Sequence, residues 1–204
     1  VGGAANSTSP TDARRTAVAG TRPPPDELAD KCDVDPVSVA RTICLRLLTV
    51  RARTRTELAA ELRRRNVPDE AAHTVLERLA AVRLIDDASF AEDFVTSRVA
   101  ERGLAGRELR RQLKEKGVAD DIVEAATANV DADTERATAG RLVERKLRSM
   151  TSLDPTVQTR RLLGLLARKG YSSALSYAVV REAVIAAGGA LDTAALDDTA
   201  SGLA

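Results

Sequence analysis

The 204-residue chain carries 31 Lys and Arg against 30 Asp and Glu, a formal net charge of +1, with 44% hydrophobic and 30% charged residues. That balance suits a folded protein in water and excludes a uniformly basic nucleic-acid coat. No stretch approaches the ~20 apolar residues of a membrane span, and aromatics are only 2%, so the core must be aliphatic, which favours helices over strands.

Residues 1–35 contain "GGAANSTSPT" and "TRPPPDE" and lack apolar periodicity, so a disordered N-terminal tail is expected. No apolar run follows the first charges, so no secretory signal is read and a cytoplasmic location is expected. Cys32 and Cys44 are too few for a disulfide scaffold and have no partner at metal spacing; reduced thiols are expected.

A first helical unit is expected over 36–86, opening with a helix at 39–50. Thr54 followed by Glu57 then fits a capping box. His73, alone in an Ala- and Glu-rich helix, reads as a surface or half-buried side chain. A second unit spans 87–132, with a helix over 88–102. "GLAG" at 103–106 has the spacing of a KH-type loop, but no strands accompany it. A third unit spans 133–186. It opens with a helix over 134–149, and Asp154 before Pro155 then reads as an N-cap followed by Pro at the first helical position. Residues 187–204, small and acidic, form a second tail expected to be disordered.

The three units repeat. With Asn66, Gly117 and Gly170 aligned, Leu58, Leu109 and Leu162 share one position, and Leu62, Leu113 and Leu166 another. Arg65, Lys116 and Lys169 precede the aligned turn; Val67, Val118 and Tyr171 follow it. Tyr171 is expected to pack at a helix end as the two valines do. The register is 51 and then 53 residues. A unit of that size is small for one core, so stacking onto neighbours is its physical purpose. The expected fold class is all-α: three tandem three-helix repeats forming an elongated, curved molecule.

Between the first two units stands "RLIDDASF". With Asp86 as N-cap, its carboxylate accepts the orphan N–H of Ala88 or Ser89, and Asp87 meets the positive end of the helix dipole. Ile85 and Phe90 have the spacing of a hydrophobic staple. Adjacent helical residues diverge by ~100°, so the two carboxylates do not converge on an ion. The stretch is expected to be a structural joint, not a metal or acid–base site.

With these residues in view, the chain resembles the RecX family, bacterial regulators of the RecA recombinase. The resemblance covers roughly 38–185 and rests on "ARTICLRLLTVRART", "RLIDDASFAEDF", "RGLAGRELRRQLKEKGV" and "LLARKGYSSALSYAVV". It departs where the family usually has Gly: Arg83 stands three residues before Asp86, and Asn66 at the first aligned turn. A left-handed turn suits Asn fairly well and Arg poorly, so a local cost at Arg83 is expected, not a changed fold. The resemblance implies a protein without catalytic activity that clamps the recombinase–DNA filament and lowers its ATP hydrolysis and strand exchange, modulating recombination, repair and the SOS response.

The basic residues suit such a partner. Residues 40–185 hold 27 Lys and Arg against 21 Asp and Glu. Candidates for filament or DNA contact are Arg63, Arg64 and Arg65; Arg107, Arg110, Arg111, Lys114 and Lys116; and Arg160, Arg161, Arg168 and Lys169. Arg141, Arg145, Lys146 and Arg148 add to the third unit. Arg107, Arg110, Arg111 and Lys114 share one helix face, although Glu108 and Glu115 are placed to pair with Arg111. Expected partners are the RecA filament and single- or double-stranded DNA, with no membrane, no cofactor, no metal and a monomeric chain. The alternative is a helical DNA-binding transcriptional regulator reading a duplex with one unit. No nucleophile–base pair, Walker loop or zinc spacing points to an enzyme.

Overall fold

The computed structural model describes residues 35–187. Nine α-helices fill them: α1 Pro36–Val50, α2 Arg55–Arg64, α3 Asp69–Ala81, α4 Asp87–Arg102, α5 Gly106–Glu115, α6 Asp120–Thr127, α7 Ala132–Arg148, α8 Pro155–Arg168 and α9 Ser173–Ala186. No strand appears among the described residues. The expectations for the two tails fall almost wholly outside them. Asp35 departs from the expected tail: its carboxylate caps α1, accepting the N–H groups of Val37 and Ser38 at 3.1 Å each.

Extended helix packing stays inside each set of three: α1 with α2 and α3, α4 with α5 and α6, α7 with α8 and α9. Each set has its own aliphatic core. The aligned leucines are the centres of these cores, since Leu58, Leu62, Leu109, Leu113, Leu162 and Leu166 are all fully buried. The i, i+4 spacing puts both leucines of a pair on one helix face, and that face alone turns inward.

The second helix of each set ends in the same way. The N–H groups of Val67, Val118 and Tyr171 reach back to the carbonyls of Leu62, Leu113 and Leu166 at 3.1–3.2 Å. This closure needs a left-handed residue just before. Asn66, Gly117 and Gly170 supply it, with φ of 57°, 73° and 87°. α3 ends likewise: Leu84 N–H bonds Leu79 C=O at 2.9 Å, and Arg83 sits at φ 56°. The turn therefore keeps its shape at Arg83 despite the side chain.

Three of the expected helix starts are borne out, one only in part. Asp86 caps α4 through Ser89 N–H at 3.0 Å, and Asp154 caps α8 through Thr156 N–H at 2.8 Å. Thr54 caps α2 through Glu57 N–H at 3.1 Å, but Glu57 does not complete a box. Its carboxylate is taken by Arg51 and Lys116.

Candidate functional site

The sets are joined at two places built to one plan. At the first, the α5–α6 turn of the second set meets the start of α2 in the first. Thr54 hydroxyl donates to Lys116 C=O at 2.7 Å and Thr56 hydroxyl to Gly117 C=O at 2.9 Å. Lys116 Nζ lies 2.7 Å from Glu57 and 5.7–5.9 Å from the centroids of Phe90 and Phe94. Burial opposes ionisation of Glu57, but Lys116 and Arg51 outweigh it and lower its pKa. Asp87 Oδ1 accepts the Arg55 N–H at 2.9 Å, satisfying an orphan donor of α2 from the neighbouring repeat.

At the second joint, the α8–α9 turn meets the start of α5. Ala105 N–H donates to Lys169 C=O at 3.0 Å, and Tyr171 hydroxyl to Gly103 C=O at 3.1 Å. The Lys169 ammonium donates to Arg102 C=O. Glu135 Oε1 accepts the Gly106 N–H at 2.8 Å. Thr54 and Ala105 are equivalent in the repeat register, as are Arg55 and Gly106, and Lys116 and Lys169. So at each joint a carboxylate from the following repeat caps the second helix of the preceding one.

The plan ends at α8. The register of Arg55 and Gly106 falls on Thr159, which lies inside α8, because this helix has one turn more at its start. Asp154 and Gln158 close that turn: the Gln158 amide donates to Met150 C=O and Leu153 C=O at 2.9 and 2.8 Å.

This geometry places the "IDD" stretch as a bridge between repeats. Ile85 is buried in the first core, whereas Phe90 packs on the second. The expected staple is thus divided between two cores, and Asp87 acts on α2 as well as standing in the first turn of its own helix. "GLAG" forms the buried α4–α5 turn that receives the third repeat. Sequence reasoning missed the roles of Thr54, Gly103, Ala105 and Glu135. The equivalence of Thr54 with Ala105 hid them, because a hydroxyl does at one joint what a backbone N–H does at the other.

The candidate cations divide by surroundings. Lys116 and Lys169 belong to the joints. Arg64 and Arg65 pair with Glu61 at 2.6 and 2.9 Å. Arg111 is held by Glu108 at 2.6 Å and by Glu115, and Lys114 pairs with Asp120 at 2.9 Å. The Arg111 guanidinium beside Glu108 pulls its carboxyl down to about 2. Arg110 donates to Thr127 at 3.1 Å. Arg63, Arg107, Arg160, Arg161 and Arg168 are exposed and form no ion pair or side-chain hydrogen bond among the described residues. Arg107 and Arg160 occupy the same repeat position. A free guanidinium remains charged at any physiological pH and offers a planar fork of donors to a carboxylate or phosphate.

Among the described residues no group of three or more His, Cys, Asp or Glu could hold a metal ion, and no helix is long and apolar enough to cross a membrane. Cys44 is free and fully buried, and burial pushes its thiol pKa up. His73 is exposed on α3, and Cys32 lies outside the described residues.

Three helical sets and two matched joints define a tandem helical-repeat protein, with a population of unpaired arginines on its surface. Comparison with known proteins carries this further. Family profiles described as RecX, first, second and third three-helix domain, match residues 40–79, 86–126 and 133–180. The chain belongs to the RecX family. A Streptomyces coelicolor relative named Regulatory protein RecX is 50% identical over 150 residues, covering 74% of this chain and 80% of its own. The Thermobifida fusca relative of the same name is 45% identical over 177 residues, covering 82% and 96%. A crystal structure of RecX from Lactobacillus salivarius superposes with a TM-score of 0.64 at 20% identity, covering 74% of this chain and 98% of that one. At that identity the match speaks for the fold.

Proposed function

We propose that this protein binds the RecA recombinase filament and restrains its ATP hydrolysis and strand exchange, without catalysing a reaction itself. The support is the membership of all three helical sets in a family whose members are named as regulatory proteins. The observation that carries the contact is the set of exposed arginines left unpaired while their neighbours are committed elsewhere. Arg107 and Arg160 repeat one position on successive units, as a partner with repeating subunits would require. A filament offers such repetition in both its protein carboxylates and its DNA phosphates.

The test is ATP hydrolysis by the cognate recombinase on single-stranded DNA with this protein titrated in. Inhibition is expected. No effect from folded protein on a formed filament would sink the reading and favour a sequence-selective duplex binder. Reversing Arg107 and Arg160 to Glu is expected to weaken inhibition at least ~10-fold, about 1.4 kcal/mol of coupling, a size within reach of two charge-assisted contacts. Full inhibition by that double variant would remove these two residues from the contact.

A further inference from the structure

A groove of about 500 Å³ opens at the second joint, between α4 and α7, the first helices of the second and third repeats. Its apolar floor includes Val95, Val99 and Leu142, with the Thr134 and Thr138 hydroxyls beside them. Two arginines line it, Arg141 and Arg145; Glu101 is its one acidic lining residue. Both arginines are exposed and form no ion pair among the described residues; Arg141 donates to Thr138 at 2.9 Å. Arg102 and Lys169 stand close by: burial lowers the pKa of Lys169, and the charges of Arg145 and Arg102 lower it further. Two exposed arginines and one carboxylate thus line an aliphatic trough, with Arg102 and Lys169 beside Arg145.

The arginines are not part of the repeat pattern. With the bridging carboxylates Asp87 and Glu135 aligned, which also aligns buried Ala91, Phe94 and Val95 with Ala139, Leu142 and Val143, the positions of Arg141 and Arg145 on α7 fall on Asp93 and Ser97 of α4, and Thr138 falls on Phe90. The joints are equivalent, but the two arginines of α7 have no basic counterpart at the matching positions of α4. A structural requirement of the repeat would have placed basic residues on both helices.

We infer that this groove is a docking site for an acidic amphipathic segment of a partner protein, its carboxylates on Arg141 and Arg145 and its aliphatic side chains on Val95, Val99 and Leu142. Charge complementarity sets the sign of the partner. The lining sets its class: single-stranded nucleic acid is held by stacking bases on aromatic rings, and no aromatic residue lines this groove. A phosphate chain would also gain nothing from the aliphatic floor. The inference goes beyond the filament reading and does not depend on the partner being a recombinase.

The experiment is fluorescence anisotropy on the full chain. One probe is a fluorescein-labelled peptide with two leucines four residues apart, flanked by Asp and Glu; its twin carries Lys at every acidic position. A labelled oligo-dT is run beside them. The acidic peptide is expected to bind, the Lys twin not, and the double variant Arg141→Glu, Arg145→Glu to lose at least 10-fold in affinity. Circular dichroism checks that the variant is folded, and a second variant, Val99→Asp, tests the floor independently and should weaken the peptide as well. Equal binding of both peptides, no binding up to millimolar concentration, or indifference to both variants would overturn the proposal. So would oligo-dT binding that depends on Arg141 and Arg145 while the peptide fails, which would make this a nucleic-acid groove. Peptide binding that emerges only after removal of residues 188–204 would also overturn it, since the chain's own Asp192, Asp197 and Asp198 would then be the occupant.

Discussion

Arg83 and Asn66 both hold a left-handed backbone, with φ of 56° and 57°. A side chain in that region costs ~1–2 kcal/mol, less for Asn, whose short amide bonds locally. Arg83→Gly should therefore stabilise the protein by roughly 1 kcal/mol, the relief of strain exceeding the added freedom of the unfolded chain. Chemical denaturation gives the answer; an unchanged or lower midpoint would refute it. Asn66→Gly should gain less. The cost at Arg83 was legible in the sequence because turn chemistry is local. Tyr171 was legible only in part. Its packing after Gly170 was expected from Val67 and Val118, but its hydrogen bond to Gly103, 68 residues away, was not. Burial and then the Glu135 charge push its phenol up to about 12, with Arg141 opposing. A raised folded pKa means the fold prefers the neutral phenol. Its contribution is intact below the unfolded value of ~10 and is lost as pH rises through about 12. Spectrophotometric titration should show a tyrosine ionising near pH 12 that disappears in Tyr171→Phe.

At the scale of the element, the helix faces and ends could be read because apolar periodicity and caps are near-neighbour effects. Leu58, Leu109 and Leu162 align in sequence and are equally buried. The joints could not be read, because in nearly every bond at least one partner is a backbone group of a distant repeat, and backbone groups are the same in every sequence. What betrays them is the glycine. A Cβ on Gly117 would overlap the Thr56 side chain, and one on Gly170 would lie 2.6 Å from Glu108 Cβ and 2.9 Å from its nitrogen. Asn66 is exposed, and no repeat precedes its own among the described residues, so its turn needs the left-handed conformation without the close approach. Gly170→Ala should destabilise by ~2 kcal/mol or more, since left-handed strain and overpacking against backbone add. Asn66→Ala should cost less. Equal costs, measured by urea unfolding, would remove the packing argument. Glu135→Gln, which weakens a charge-assisted bond to the Gly106 N–H, should cost on the order of 1 kcal/mol.

At the scale of the whole repeat array, each core is built mainly within its own three helices, and neighbours meet through a few hydrogen bonds, one buried tyrosine, two lysines and Ala105, which enters the third core from the second repeat. Stability in such an array is a sum of unit terms and nearest-neighbour terms. The double variant Asp87→Asn, Lys116→Met should weaken the first neighbour term and let the first repeat open alone. Hydrogen exchange at Leu58 and Leu62 amides should then outpace that at Leu109 and Leu113, whereas uniform acceleration would show that the repeats unfold as one. The extra turn of α8 has a consequence of a different kind. The plan of both joints gives the first N–H of one helix to a carboxylate of the next repeat, so extending it needs such an N–H at the start of α8. Pro155 has none to offer, and Asp154 serves the next amide itself. A fourth segment joined by the same plan would need Pro155–Gln158 removed first, so that the helix began at Thr159 with an N–H free to be capped, as α2 begins at Arg55 and α5 at Gly106.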